Sequence, residues 1–571
     1  MSEKVTVEVT EEDTMQALSG SDKSTDKPLF GKRPAKTVGF HLAIWIPLTA
    51  FIIALIVQGK GKPGYEFAIF VYVLITLRFL AQHVSMSQLI YKPLGVVFDA
   101  VFGWIPKVIP EKFRMWVLAA IYVAVAVLFA CLSPATDLGT IPQRLQSLAG
   151  IVVMTLVLYT FSRNKKAINW RTVVVGFICQ FIIALFVLRT QVGVNIFYFL
   201  SSMITTFLSE STAGLEFILG AKSSNPFQYT FAVSVLPAIM FFCAVISIIY
   251  YLGAMQYVIG KFAWLMVRLM DTSGGESIVA AASPFVGMGE SALLVRPFVE
   301  FMTNSELHSA MTSGFATISG SVLLAYINYT GNSPQSTSTI LASCLMSVPC
   351  SMLVSKIVYP ETEESITKGI VQVPESTEEK DVNALDAASK GASIGVQLAL
   401  MITGSLLAII SLYQACNDLV AWAFGMLDIS NWIDSTQPIS IALILSYIFY
   451  PISLCVGIPP VNARKAAEFL ATKIVVNEFA AYSALNAYAF SPNATANGSF
   501  PLNGVFDVRT VRLLAFALCG FANIGSIGIQ ISVLGVIAPT RKKDLAQLAL
   551  SAMITGAFST WISAAVAGAT L

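Results

Sequence analysis

The sequence predicts an all-α polytopic membrane protein made of inverted repeats with broken transmembrane helices. Three observations carry this reading. The 571 residues are 56% hydrophobic and 12% charged, with mean hydropathy +0.72, about half the charge of a soluble domain. Apolar stretches of about 20 residues, enough to span a bilayer, recur along most of the chain. Two of these stretches are interrupted by a glutamate beside glycine or asparagine, and each leads into a similar small-residue motif.

Residues 1–38 read as a disordered cytoplasmic tail, acidic from Glu8 to Asp13 and then basic through Lys23, Lys27, Lys32, Arg33 and Lys36. The tail has no apolar core of the kind a signal peptide needs. Spanning stretches follow at 39–58, 66–83, 113–133, 145–161 and 171–192. The first three fall within 39–135 and carry almost no central polar residues, so they read as extra helices added to a core over 136–571. Basic residues gather on one side: the tail, then Lys92, Lys107, Lys112 and Arg114, then Arg163, Lys165, Lys166 and Arg171. The positive-inside rule puts that side and the N-terminus in the cytoplasm, against the lone pair Lys60 and Lys62.

Residues 194–222 contain Ser201, Ser202, Thr205, Thr206 and Glu210, which suits a helix lying in the membrane interface. A span at 228–252 leads to a basic amphipathic piece bearing Lys261 and Arg268. Spans near 306–327 and 337–358 precede a glutamate-rich polar loop from Pro360 to Lys390. Next come a span at 392–412, a mixed segment at 418–436, and apolar stretches at 438–457, 466–490, 509–538 and 545–570. Asn493-Ala494-Thr495 and Asn497-Gly498-Ser499 are glycosylation acceptors, and the basic Arg541-Lys542-Lys543 lies past the following span. Together they predict a glycoprotein with its C-terminus outside.

The first broken stretch is Gly287-Met288-Gly289-Glu290-Ser291, within an apolar segment from Ile278 to Phe298 that also holds Pro284 and Pro297. A carboxylate at membrane depth is costly, and non-helical backbone survives there only inside protein or along a watery cavity. A solvated Glu290 in a surface loop is the alternative; the apolar runs on both sides favour a site. The second broken stretch holds Glu478 in Val476-Asn477-Glu478-Phe479. Downstream of the two glutamates, Gly314-Phe315-Ala316-Thr317-Ile318 recurs as Gly520-Phe521-Ala522-Asn523-Ile524, each followed by small residues and a final span. Such paired interruptions, here in repeats at about 254–360 and 425–571, mark a secondary transporter with its solute site at mid-membrane. Broken helices expose N–H groups at one end and carbonyls at the other. Thr317 and Asn523 add side-chain oxygens at the two breaks. A glutamate there can accept two charge-assisted hydrogen bonds from a vicinal diol.

Other classes fit less well. The eight cysteines sit singly in apolar runs without metal-ligand spacing, and His41, His83 and His308 are scattered. No phosphate-binding glycine loop, dinucleotide fingerprint or zinc-protease motif is present. A membrane-embedded enzyme with Glu290 and Glu478 as an acid/base pair lacks a nucleophile, metal set or cofactor motif. An ion channel lined by the broken segments has no use for a diol-binding set. Arg296 and Glu300 read as a helical ion pair, and Arg464 with Lys465 as a membrane boundary.

Six motifs together are similar to the concentrative nucleoside transporter family: Gly-x-x-Glu-Ser-x-Leu-Leu-Val-Arg-Pro at 287–297, Ser305-Glu306-Leu307-His308, Gly314 to Ser321, Pro360-Glu361-Thr362-Glu363, Asn477 to Tyr482, and Cys519 to Ser526. The similarity runs in the same order from about Val173 to the end, and the first three spans look like the extension of eukaryotic members. The resemblance implies a homotrimer in the plasma membrane, with scaffold and transport domains and two re-entrant hairpins. It also implies cation-driven uptake of purine and pyrimidine nucleosides such as uridine and adenosine, with no bound cofactor and no nucleic acid. Sodium is the expected coupling ion and the proton the alternative. The resemblance assigns the ribose to Glu478, Asn523 and Ser526, and the base to Met288, Gly289 and Glu290. It gives apolar contacts to Val322 and Phe521, and a sodium ion to Ser283, Val286, Thr317 and Ile318. Two departures from animal members, at three positions, stand out. Met288-Gly289 stands for Gln-Thr, which implies broad base tolerance with strict sugar recognition, and Ser283 stands for Asn.

Overall fold

The computed structural model describes residues 45–55, 69, 72, 75–76, 111–135, 138–219, 236–288, 291, 299–330, 334–365, 382–426, 439–490 and 502–571. The tail at 1–38, most of 66–83, Gly289, Glu290, Arg296, Asn493 and Asn497 lie outside them. The chain divides into two compact units, Met1–Val117 and Leu118–Leu571. In the first, α1 (Trp45–Leu55) packs Trp45 on Tyr72 with ring centroids 6.4 Å apart, and the Trp45 indole N–H donates to Thr76 Oγ1 at 3.0 Å.

Everything that concerns the broken stretches lies in the second unit. It is helical, and the described residues contain no strand; Phe490 and Leu502 form an isolated antiparallel bridge. After α2 (Glu111–Leu132) come α3 (Ile141–Thr160), α4 (Trp170–Arg189), α5 (Gln191–Ser209) and α6 (Ser211–Leu219). Local chemistry sets their starts. The Asn169 side chain accepts from Arg171 N at 3.1 Å at the head of α4, and Gln143 closes a capping bond onto Thr140 N at 3.0 Å at the head of α3.

The order of elements then recurs. The first series is α7 (Leu236–Tyr251), α8 (Ala254–Met270), α9 (Gly274–Val286), α10 (Asn304–Ala316), α11 (Leu323–Tyr329) and α12 (Pro334–Val358). The second is α13 (Ala384–Met426), α14 (Ile441–Val456), α15 (Pro460–Val475), α16 (Glu478–Ala489), α17 (Val508–Leu518), α18 (Ile524–Ile537) and α19 (Lys542–Thr570). The chain bends by 80° between α7 and α8 and by 119° between α14 and α15. Among the described residues six helices are long and apolar enough to cross a bilayer, or eight when each bent pair counts as one span. The chain is a multi-pass membrane protein.

Two sequence expectations change. The span at 392–412 and the described part of the mixed segment, 418–426, belong to one helix, α13, that runs unbroken to Met426. At 43 residues it is about 65 Å long, twice the hydrocarbon thickness. It also starts inside the expected polar loop, because Asn383 caps it by accepting from Leu385 N at 2.9 Å and Asp386 N at 3.0 Å. The repeated Gly-Phe-Ala motif is out of register: Gly314 is inside α10, whereas Gly520 lies in the break after α17 with φ +113°. The two glycines answer different needs. A β-carbon on Gly314 would stand 3.0 Å from Met288 Cβ, and one on Gly520 would stand 2.9 Å from Phe315 O.

Close backbone approach holds the helices, since lipid gives apolar side chains little reason to leave it. A β-carbon on Gly395 of α13 would lie 2.7 Å from Met240 Cα of α7, and one on Gly556 of α19 would lie 2.6 Å from Phe315 Cβ. Polar ends are tied separately. The last turn of α19 collects three arginines: Arg189 donates to Leu571 O at 2.7 Å, Arg144 to the same oxygen at 3.1 Å, and Arg509 to Gly568 O at 2.9 Å. They satisfy carbonyls that a helix end leaves open and complement its negative dipole end. Lys356 near the end of α12 pairs with Glu276 at 3.0 Å and Glu361 at 3.4 Å, which pins the head of α9. Neighbouring His308 is buried between Ser355 and Ser551, at 2.8 and 3.1 Å.

Gly150 of α3 sets a test of this packing, because its β-carbon would fall 1.8 Å from Cys455 O of α14, where backbone must move. Gly150→Ala is expected to cost about 1–3 kcal/mol and lower the thermal unfolding midpoint in detergent. Gly528→Ala, where a β-carbon meets open space, should leave the midpoint unchanged or slightly raised. Equal midpoints for the two variants would contradict the packing.

Candidate functional site

The second half concentrates two helix N-termini on one carboxylate. Chain breaks at Val476-Asn477 and at Cys519–Asn523 leave the N-termini of α16 and α18 inside the protein. Each is capped by an asparagine: Asn477 Oδ1 accepts from Ala480 N, and Asn523 Oδ1 from Ser526 N, both at 2.8 Å. Glu478 begins α16 and is 2% exposed. Its Oε2 accepts from Asn523 Nδ2 at 2.8 Å, and its Oε1 from the Tyr326 hydroxyl at 3.4 Å. Glu478, Asn523 and Ser526, named from the sequence, are therefore brought together, all buried.

The first half supplies the opposing surface. α9 carries Pro284 in its last turn and ends at Val286, where Gly287 takes φ +91°. A β-carbon on Gly287 would stand 2.9 Å from Ser319 Cβ, so the hairpin tip rests against the break that follows α10. Met288 is buried there. Thr317 and Ile318 lie in that break, also buried, and Val322 follows in the short 3-10 turn Gly320–Val322. The Ser283 hydroxyl donates to Val279 O at 2.7 Å and that of Thr317 to Ser313 O at 3.0 Å. Ser283 Oγ also lies 3.3 Å from Ser291 Oγ, and each hydroxyl oxygen retains a lone pair for another partner. The two breaks meet where Phe521 N donates to Thr317 O at 3.3 Å.

Three buried polar residues here were not read from the sequence. Tyr326 of α11 is fully buried between Phe479 and Tyr482, with ring centroids 5.1 and 4.9 Å away. Gln530 of α18 is 1% exposed and its Oε1 has no hydrogen-bond partner in the protein. Lys473 of α15 is fully buried and donates to Ala517 O at 2.9 Å, Cys519 O at 3.3 Å and Thr560 Oγ1 at 3.0 Å. It thus closes the carbonyl end of α17, the end that favours a cation. A lysine and a glutamine inside apolar runs were the available signals; nothing sets Tyr326 apart from other aromatic residues.

The bonds of Lys473 predict a stability effect. Lys473→Met should fill the volume but orphan Cys519 O, at about 1–3 kcal/mol, and lower the thermal unfolding midpoint in detergent, while Ala517 O keeps the Thr560 hydroxyl at 3.2 Å. An unchanged midpoint would contradict this account of the break.

Comparison with known proteins follows the same geography. Family models described as Na+ dependent nucleoside transporter N-terminus and C-terminus match residues 149–222 and 339–568, and one described as nucleoside recognition matches 232–333. The chain is 39% identical to sodium/nucleoside cotransporter 1 of Mus musculus over 76% of this chain and 64% of that protein, so it spans less than two thirds of that relative. It is 34% identical to solute carrier family 28 member 3 of Rattus norvegicus over 92% of this chain and 72% of that protein. Among solved structures, CNTnw in an inward-facing substrate-bound state aligns with TM-score 0.65 and 32% identity, covering 75% of this chain and 97% of that one. The chain belongs to the concentrative nucleoside transporter family.

Proposed function

We propose that this protein is a sodium-coupled symporter that concentrates purine and pyrimidine nucleosides in the cell. The observation that carries the proposal is the buried Glu478–Asn523 pair at the meeting of two helix N-termini, in a chain whose relatives are named sodium/nucleoside cotransporters. Those names point away from an enzyme. A ribose diol suits the pair. Its two hydroxyls can donate to the Glu478 carboxylate and accept from Asn523 Nδ2, with Ser526 beside them. Such charge-assisted bonds contribute about 1.5–3 kcal/mol each. The base then lies toward the first hairpin, by Met288, Gly289 and Glu290, with Val322 and Phe521 as apolar walls.

Sodium fits the other corner. α9 ends at Val286 and α10 at Ala316, and the two ends are neighbours, since a β-carbon on Gly287 would stand 2.9 Å from Ser319 Cβ. Half-helix carbonyl ends and unwound backbone are the usual cation ligands of such transporters. Ser283 and Thr317 hydroxyls still have lone pairs to offer. An ion there neutralises the negative helix ends and holds the hairpin tip against the break, ready for a nucleoside. The same reading includes a homotrimer of scaffold and transport domains that moves as an elevator, in the plasma membrane, with N-terminus inside and C-terminus outside. The basic side bearing Arg163, Lys165 and Lys166 supports that orientation.

Glu478→Gln tests the assignment. The amide keeps one acceptor but loses the charge, so concentrative uptake should fall to background in a correctly inserted, folded variant. Uptake of wild-type size would remove Glu478 from the site.

A further inference from the structure

We infer that the Gln530 side-chain amide reads the hydrogen-bonding edge of the nucleobase. This rests on the nucleoside reading above and extends it to a residue outside the family set. The first observation is the orphaned oxygen. Gln530 is 1% exposed, and its Oε1 finds no partner in the protein. A buried carbonyl left unpaired costs about 1–3 kcal/mol, and native proteins rarely leave one so unless something else binds it.

The second observation is position. The buried face of α18 consists of Ser526, Gln530, Leu534 and Ile537. Gln530 therefore lies one turn beyond Ser526 on the same face, about 6 Å along the axis. A ribose held by Glu478, Asn523 and Ser526 has this amide next along the helix. Gln530 also borders the first hairpin. The point where a β-carbon on Gly314 would stand is 3.3 Å from Gln530 Nε2 and 3.0 Å from Met288 Cβ. Gly314 leaves that space open, and Met288 offers no hydrogen-bond donor and only a weak acceptor. Among the described residues bordering Met288 and Gly314 here, the glutamine supplies a polar side chain.

The chemistry matches. A carboxamide presents an acceptor and a donor side by side, the pattern by which glutamine pairs with adenine elsewhere. Adenine and cytosine pair an amino donor with a ring-nitrogen acceptor, while guanine and uracil pair a carbonyl with a ring N–H. A half-turn of the amide interchanges its two groups, so one side chain serves all four. Broad tolerance of bases then coexists with rejection of a ring that lacks any hydrogen-bonding edge.

Competition against labelled uridine uptake in proteoliposomes tests this. Adenosine should compete about tenfold better than the purine riboside without its 6-amino group. In Gln530→Met the gap should shrink to within about twofold, while the weak competition by 2′,3′-dideoxyadenosine and the sodium dependence stay as in wild type. Gln530→Met that keeps the tenfold gap overturns the inference. So does a variant that keeps the gap while its sodium dependence shifts, which makes the oxygen a cation ligand. If Gln530→Met does not fold, wild type alone decides: equal competition by the two ribosides overturns the inference and the tenfold gap supports it. A wild-type protein that takes up no nucleoside would refute the transport reading itself, a result distinct from uptake without base discrimination.

Discussion

The whole core depends on satisfying helix ends that were broken inside the protein. A break at membrane depth exposes donors and acceptors that lipid cannot serve, so every free group needs a built partner. Asn477 and Asn523 cap the N–H ends of α16 and α18, and Lys473 closes the carbonyl end of α17. The bond from Phe521 N to Thr317 O ties one break to the other. Glu478 is placed by this arrangement, not by its own helix alone, because Asn523 and Tyr326 reach it from two other elements. The Glu478 carboxylate and the Gln530 amide are among the buried groups left with capacity, on the walls where a solute would lie in the proposed reading.

The halves share an order of elements but not their chemistry. Near the end of the hairpin helix before each break, the first half has Ser283 and the second has Lys473. One corner is lined with hydroxyls and carbonyls; the other already holds an ammonium. The first half thus offers oxygen to a diffusible cation, while the second carries its positive charge in the chain. In the transport reading proposed above, that asymmetry gives ion and solute separate places within one repeated scaffold.

Much of this was legible in the sequence, for identifiable reasons. Glu478 and Asn523 stood out because an ionisable or amide side chain inside an apolar run is costly and local caps are short-range. The first break announced itself through glycine and proline, and the one before α16 through Asn477 and Glu478 in an apolar run. The register of the Gly-Phe-Ala repeat did not, since one glycine serves helix packing at Met288 and the other a positive φ. The length of α13 was hidden by polar residues such as Asn417 and Asp418, whose helical neighbours only the fold reveals. Lys473, Tyr326 and Gln530 depend on contacts 44, 152 and more than 200 residues away in sequence, from Ala517, Glu478 and Gly314. No local pattern encodes such distances.

The central claim is that an ion at the first break and a nucleoside at the second are bound and carried together. It is tested most directly by uridine and adenosine uptake in proteoliposomes containing the full chain, with sodium and proton gradients imposed separately. An inward sodium gradient should drive accumulation of both nucleosides above the external concentration, and a proton gradient alone should not. Accumulation that ignores sodium and follows the proton gradient, or equilibration without accumulation under either, would contradict the account.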